Sequence, residues 1–267
     1  MGNIFSWLED DDSYKLEYFQ AQAQANTLLY PPLSGKDGAD ALREAERIDG
    51  YQNAINNSPI NRYARRNGLY KPALYTVNRI VPAVSKDWPS GQIIWMTTDA
   101  DGGLPHTRSP HYICISEGHP ESSLAKTLLH ERIHVHQRKH TQAWINVCKK
   151  AWAMDLWYGK LPEDIQARVR INPDTMYVAH MIWKKTWVPI TLFRDSTPEN
   201  LSDAKIHWWN DTQKMLYETA PLGWKEFFGI IDHAEHPFEI SAYLLSDDSL
   251  KSPAKEALTA RRAELEQ

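Results

Sequence analysis

Two histidines four residues apart, His130 and His134, constrain this chain more than any other feature of its sequence. On an α-helix such a pair lies about 40° apart around the axis and one turn along it, so both imidazoles can reach a single metal ion. Glu131 follows the first histidine and is placed to act on a water at the metal rather than to bind the metal. The spacing therefore predicts a helix that carries a metal site.

The sequence around this pair favours one long helix over residues 121–140. Glu121 and the two serines after it are typical of a helix N-terminus. Leu124, Leu128 and Val135 recur at helical spacing and form an apolar stripe, with the two histidines at its edge. The histidines are therefore expected beside the buried face of the helix.

Two short apolar runs, residues 93–96 and 112–115, precede this helix and predict strands. A strand pair that leads into a His-Glu-x-x-His helix resembles the zincin metallopeptidases, whose HExxH motif falls here on residues 130–134. The resemblance implies an α+β, mainly helical fold. It has a mixed upper lobe with short strands and the HExxH helix, a helical lower lobe, and a cleft between them.

The resemblance also implies the chemistry of the motif. His130 and His134 bind one Zn2+ ion, which keeps an open position for water and lowers the pKa of that water. Glu131 acts as the general base on the zinc-bound water during attack on a carbonyl, and then passes the proton to the leaving amine. The expected function is a zinc metallopeptidase, a hydrolase that acts on a peptide or protein substrate.

A metal bound by two histidines needs a further protein ligand. His140 is excluded if the helix continues, because it then lies about 15 Å along the axis from His130. Pro237 predicts the start of a second helix, and Glu239 followed by Ala242 resembles the glutamate helix of the gluzincins. The resemblance implies that Glu239 is the third zinc ligand; a glutamate that only caps its helix at N3 is the alternative.

Residues near Glu239 are candidates for supporting roles. Gluzincins often stabilise the oxyanion with a histidine or a tyrosine, and His233 and Tyr243 are the candidates here. Tyr243 is equally consistent with a packed aromatic one turn after Glu239. Asp232 and Glu235 are alternative carboxylates for orienting a ligand imidazole, and the sequence does not choose between them.

Composition limits the remaining classes of function. A net charge of −4 over 267 residues gives no electrostatic case for nucleic acid. Two cysteines, Cys114 and Cys148, are too few for a disulfide framework and are predicted to be buried thiols. This usage indicates a reducing compartment, the cytoplasm. No run of about 18 apolar residues is present, so no membrane span is expected.

The first six residues match the pattern for N-myristoylation, with Gly2 as the acceptor and Ser6 at the sixth position. So short a pattern also arises by chance. A single myristoyl chain gives only weak and reversible membrane binding. The pattern therefore predicts, at most, a weak peripheral association through Gly2.

The sequence divides into an N-terminal helical region (1–57), a zincin-like metallopeptidase domain (58–245) and a charged C-terminal helix or tail (246–267). Further expectations are loops with short extended pieces over 58–90, helices over 144–157 and 201–219, strands or irregular extended structure within 178–193, and a charged, surface-lying helix over 252–266.

Three functions of different classes remain open at this point. The leading one is the active zinc peptidase. The second is a zincin-fold binding or structural protein, at a membrane or in a viral particle, that does not turn over substrate. The third is a hydrolase that acts on other bonds, or a motif that arises by chance on an ordinary helix.

Overall fold

The structure, a computed structural model, describes residue 33 and residues 35–71, 91–229 and 235–265. These residues form two compact units. The first runs up to Gly50 and from Tyr70 to Arg138, and the second holds Tyr51–Leu69 and the chain from Lys139 onwards. Helices and strands occur in both units, so the α+β class is confirmed. The three regions proposed from sequence stay a prediction.

The elements are numbered here in chain order. The helices are α1 Gly35–Asp49, α2 Tyr51–Asn57, α3 Pro59–Arg66, α4 Glu121–Lys139, α5 Thr141–Trp152, α6 Glu163–Arg168, α7 Trp224–Phe228, α8 Pro237–Ser246 and α9 Pro253–Thr259. The strands are β1 Gln92–Met96, β2 His106–Arg108, β3 Tyr112–Ser116, β4 Met154–Leu156, β5 Met181–Trp183, β6 Trp187–Phe193, β7 Ala204–Asn210 and β8 Met215–Tyr217.

The first unit is built on a three-stranded sheet in the order β1-β3-β2. Strands β1 and β3 confirm the two predicted strands and pair in parallel, whereas β2 is antiparallel to β3. Because side chains alternate across a strand, the sheet has two apolar faces. One face packs on the apolar stripe of α4 in a cluster of Ile93, Trp95, Ile113, Ile115, Leu124, Leu128 and Val135. The other packs on Ala41 and Ala45 of α1.

Helix α4 confirms the helix predicted over 121–140, and it ends one residue earlier, at Lys139. The next predicted helix, 144–157, is observed as α5 and ends at Trp152. Ala153 adopts the left-handed conformation with φ 53°, which stops the helix, and the chain then enters β4.

The second unit contains an antiparallel sheet in the order β4-β5-β6-β7-β8. Strands β5 and β6 confirm the extended structure predicted within 178–193. The helix predicted over 201–219 is wrong, because β7 pairs along its whole length with β6. Aromatic residues such as Trp208 and Trp209 favour a pleated, half-buried surface. Oδ1 of Asn210 accepts hydrogen bonds from the backbone N–H groups of Thr212 and Gln213, and these bonds close the hairpin between β7 and β8.

One further expectation needs correction. Residues 58–90 were expected to be loops, but α3 lies within them, with Pro59 in its first turn. The terminal helix is observed as α9 and ends at Thr259; Ala254 and Leu258 on one side of it are buried, and the indole N–H of Trp152 donates to the carbonyl of Ala254. Both cysteines are free and buried, as predicted. Burial also raises the pKa of the Cys148 thiol.

Within the described ranges, no helix is both long and apolar enough to cross a membrane. Gly2, Asp232, His233 and residues 72–90 lie outside the described residues. The myristoylation of Gly2 therefore stays a prediction.

A buried ion pair joins α1 to the sheet of the first unit. The guanidinium of Arg108 on β2 makes two 2.8 Å hydrogen bonds to the carboxylate of Asp49 and a third, of 3.0 Å, to Glu46. The side chains of Arg108 and Asp49 are each only 3 % exposed. A bidentate pair of this kind fixes both the position and the orientation of its partners.

Replacing Arg108 by alanine leaves the Asp49 carboxylate buried without its main partner. We expect Arg108→Ala to lower the free energy of unfolding by about 3–5 kcal/mol, measured by urea unfolding with circular dichroism. Arg43→Ala is the matched control, because Arg43 pairs with Asp40 at the surface of the same helix, and a small change is expected there. Equal losses in the two variants would contradict the importance of the buried pair.

Candidate metal centre

The histidine pair lies on α4 with its ring nitrogens facing each other. The Nε2 atoms of His130 and His134 are 3.0 Å apart, and the ring planes are inclined by 70°. His134 is buried and His130 is half-buried. The helical spacing therefore places two imidazole nitrogens at one point, as the sequence predicted.

A glutamine on the same helix determines which nitrogen of His134 carries the proton. The Nδ1 atom of His134 is 2.7 Å from Oε1 of Gln137, and both side chains are buried. A carbonyl oxygen only accepts hydrogen bonds, so the proton lies on Nδ1. The lone pair of His134 is then on Nε2, the nitrogen that faces His130.

Glu131 occupies the middle of the same helix and is 3 % exposed. It is one residue after His130, so its side chain leaves the helix about 100° around the axis from that histidine. Its role as general base stays a prediction.

Helix α8 carries the proposed third ligand. Pro237 occupies its first turn and His236 is its N-cap, with the imidazole Nδ1 accepting from the N–H of Phe238 at 3.1 Å. The predicted helix start is therefore confirmed, and His236 performs the capping. Glu239 is 5 % exposed, and its Oε1 accepts a 2.7 Å hydrogen bond from Nδ2 of Asn172.

The three proposed ligands form a cluster. One ligand atom each of His130, His134 and Glu239 lies within 4.8 Å of the others. Within the part of the chain that the structure describes, this is the group of at least three histidine, cysteine or acidic side chains that meets the geometry for an ion. Tyr243, the candidate for oxyanion stabilisation, is partly buried on α8 and is not a member.

Neither His140 nor Glu235 contributes a ligand to this cluster. His140 lies between α4 and α5 as the N-cap of α5, and burial together with the charge of Lys139 lowers its pKa. The Glu235 carboxylate accepts hydrogen bonds from Arg170 and Asn172. Nδ1 of His134 instead contacts the amide of Gln137, and Asp232, the other carboxylate considered from sequence, lies outside the described residues.

Sequence reasoning missed the two amides at this site. Gln137 had a usable signal, because it follows His134 by three residues and therefore shares its helix face. Asn172 had none, since it lies in a loop far from Glu239 in the chain.

The donor set fits zinc. Two imidazole nitrogens and one carboxylate oxygen form one of the three-ligand sets of catalytic zinc sites, in which the fourth position stays open. Comparison of the chain with known protein families, curated proteins and solved structures gives no match.

The contact with Gln137 predicts the protonation of His134. We expect a long-range 1H–15N spectrum of chelator-treated protein to show the Nδ1-protonated tautomer, assigned by comparison with His134→Gln. Gln137→Leu removes the acceptor and should give mixed tautomers, whereas Gln137→Glu keeps an acceptor and should preserve the pattern. A mainly Nε2-protonated His134 in the wild-type protein would refute this assignment.

Proposed function

We propose that this protein is a zinc-dependent hydrolase, and specifically a gluzincin-like metallopeptidase. The observation that supports the proposal is the cluster of His130, His134 and Glu239, whose ligand atoms lie within 4.8 Å of one another. The 3.0 Å approach of the two Nε2 atoms adds to it, and so does the hydrogen bond between Gln137 and Nδ1 of His134, which leaves the lone pair of His134 on Nε2.

In the proposed site, His130, His134 and Glu239 hold one Zn2+ ion. Zinc in such a set acts as a Lewis acid that lowers the pKa of water and polarises a carbonyl. Glu131 takes a proton from the attacking water and gives it to the departing amine. Its burial keeps this carboxylate away from bulk solvent, where a proton would be lost. Tyr243 and His233 stay candidates for stabilising the oxyanion.

We further propose a peptide or protein as the substrate and the cytoplasm as the location, with weak membrane association if Gly2 is acylated. Nucleic acid is not proposed as a partner, because the net charge is −4.

Metal analysis tests the site. We expect the purified protein to bind one zinc ion per chain, measured by mass spectrometry of the metal and by titration of chelator-treated protein. His130→Ala, His134→Ala and Glu239→Ala should each weaken binding strongly, since each removes one of the three donors. His207→Ala is the control, because His207 is a similarly buried histidine on β7. Zinc binding that is absent in the wild-type protein, or unchanged in the three ligand variants, would refute the proposal.

Replacement of Glu131 by glutamine separates an enzyme from a binding protein. Glutamine has a similar size and cannot accept the proton, so hydrolysis of a broad peptide library should fall by roughly 10²–10⁴-fold. Zinc content should stay unchanged, because Glu131 is outside the ligand cluster. Equal cleavage by both forms would exclude Glu131 as general base. A wild-type protein that binds zinc and cleaves nothing would favour the binding or structural role.

A further inference from the structure

Two buried glutamates share one amide group in the second unit. Nδ2 of Asn172 donates to Oε1 of Glu239 at 2.7 Å and also to Oε1 of Glu235. All three residues are less than a tenth exposed. An amide nitrogen has two hydrogens, so Asn172 can serve both carboxylates at once.

The contact of the Asn172 amide oxygen determines which way the amide group faces. Oδ1 of Asn172 accepts the backbone N–H of Asp174 at 2.9 Å. A flipped amide would present its oxygen to two carboxylates and its nitrogen to an N–H group, and every one of these contacts would be repulsive. The nitrogen of Asn172 therefore faces Glu235 and Glu239.

The backbone on the N-terminal side of Asn172 is anchored to the sheet and to α3. The N–H of Arg170 donates to the carbonyl of Thr191 on β6 at 2.9 Å. The side chain of Asn61 donates to the carbonyl of Val169 and accepts the N–H of Ile171. Three hydrogen bonds thus fix residues 169–171, the segment that directly precedes Asn172.

The two glutamates differ in the charge of a donor that each receives. Arg170 makes a 2.7 Å ion pair with Glu235. Glu239 receives from Asn172 a donor that carries no charge. A neutral donor can orient a carboxylate without bringing a positive charge to it, so the contact with Asn172 does not itself compete with a cation for Glu239.

We propose that Asn172 is a positioning residue, which holds the Glu239 carboxylate in the orientation that binds zinc, while the Arg170–Glu235 pair holds Asn172. This inference rests on the proposed function. Partners that orient metal ligands from outside the coordination shell typically contribute 10–100-fold to metal affinity.

The test is the zinc affinity of the full-length chain, measured by competition with a chromophoric chelator. Asn172→Ala should bind zinc roughly 10-fold or more weakly than wild type. Asn210→Ala should bind like wild type, because Asn210 is an equally buried asparagine whose side chain bonds within its own hairpin. Circular dichroism confirms folding of each variant. If Asn172→Ala does not fold, Asn172→Ser replaces it, since a hydroxyl can donate to only one of the two carboxylates.

A double-mutant cycle distinguishes positioning from a general loss of structure. If Asn172 acts through Glu239, adding Asn172→Ala to Glu239→Ala should not weaken zinc binding further. Fully additive losses, or wild-type affinity in Asn172→Ala and Asn172→Ser, would overturn the inference while leaving the zinc site intact. A wild-type chain that binds no zinc would instead overturn the proposed function.

Discussion

The hydrogen bond between His134 and Gln137 is the contact on which the rest of the candidate site depends. It places the proton of His134 on Nδ1, so Nε2 presents a lone pair 3.0 Å from Nε2 of His130. With the opposite tautomer, His134 would direct an N–H group at the same point and could not bind a metal there. The buried amide of Gln137 therefore favours the tautomer in which His134 can act as a metal ligand.

His134 can present its lone pair to a metal ion only if helix α4 holds its position. Helix α4 buries Leu124, Leu128 and Val135 against one face of the three-stranded sheet. Helix α1 covers the other face and is tied to β2 by the buried guanidinium of Arg108. Because the sheet is packed on both faces, movement of α4 would expose apolar surface at about 25 cal/mol per Å². Packing on both faces of the sheet thus stabilises the position of the helix that carries the histidine pair.

Most of the correct structural predictions came from local periodicity in the sequence. The apolar stripe on α4 and Pro237 both act within a few residues, and each correctly predicted a helix. Strand β2 was missed because three mostly polar residues show no apolar alternation, and β7 because its identity depends on pairing with β6. Asn172 was unpredictable for the same reason, since its hydrogen bonds join residues more than sixty positions apart.

The choice of asparagine at position 172 follows from the charges around it. A lysine there could bond to both glutamates, but its charge would neutralise Glu239 and compete with a metal ion. An aspartate would add a third negative charge beside Glu235 and Glu239, and its carboxylate would have no hydrogen to donate to either of them. An amide satisfies both carboxylates, leaves the charge of Glu239 in place and is itself held by the N–H of Asp174. Of these three side chains, only the amide can orient the Glu239 carboxylate without competing with a metal ion for its charge.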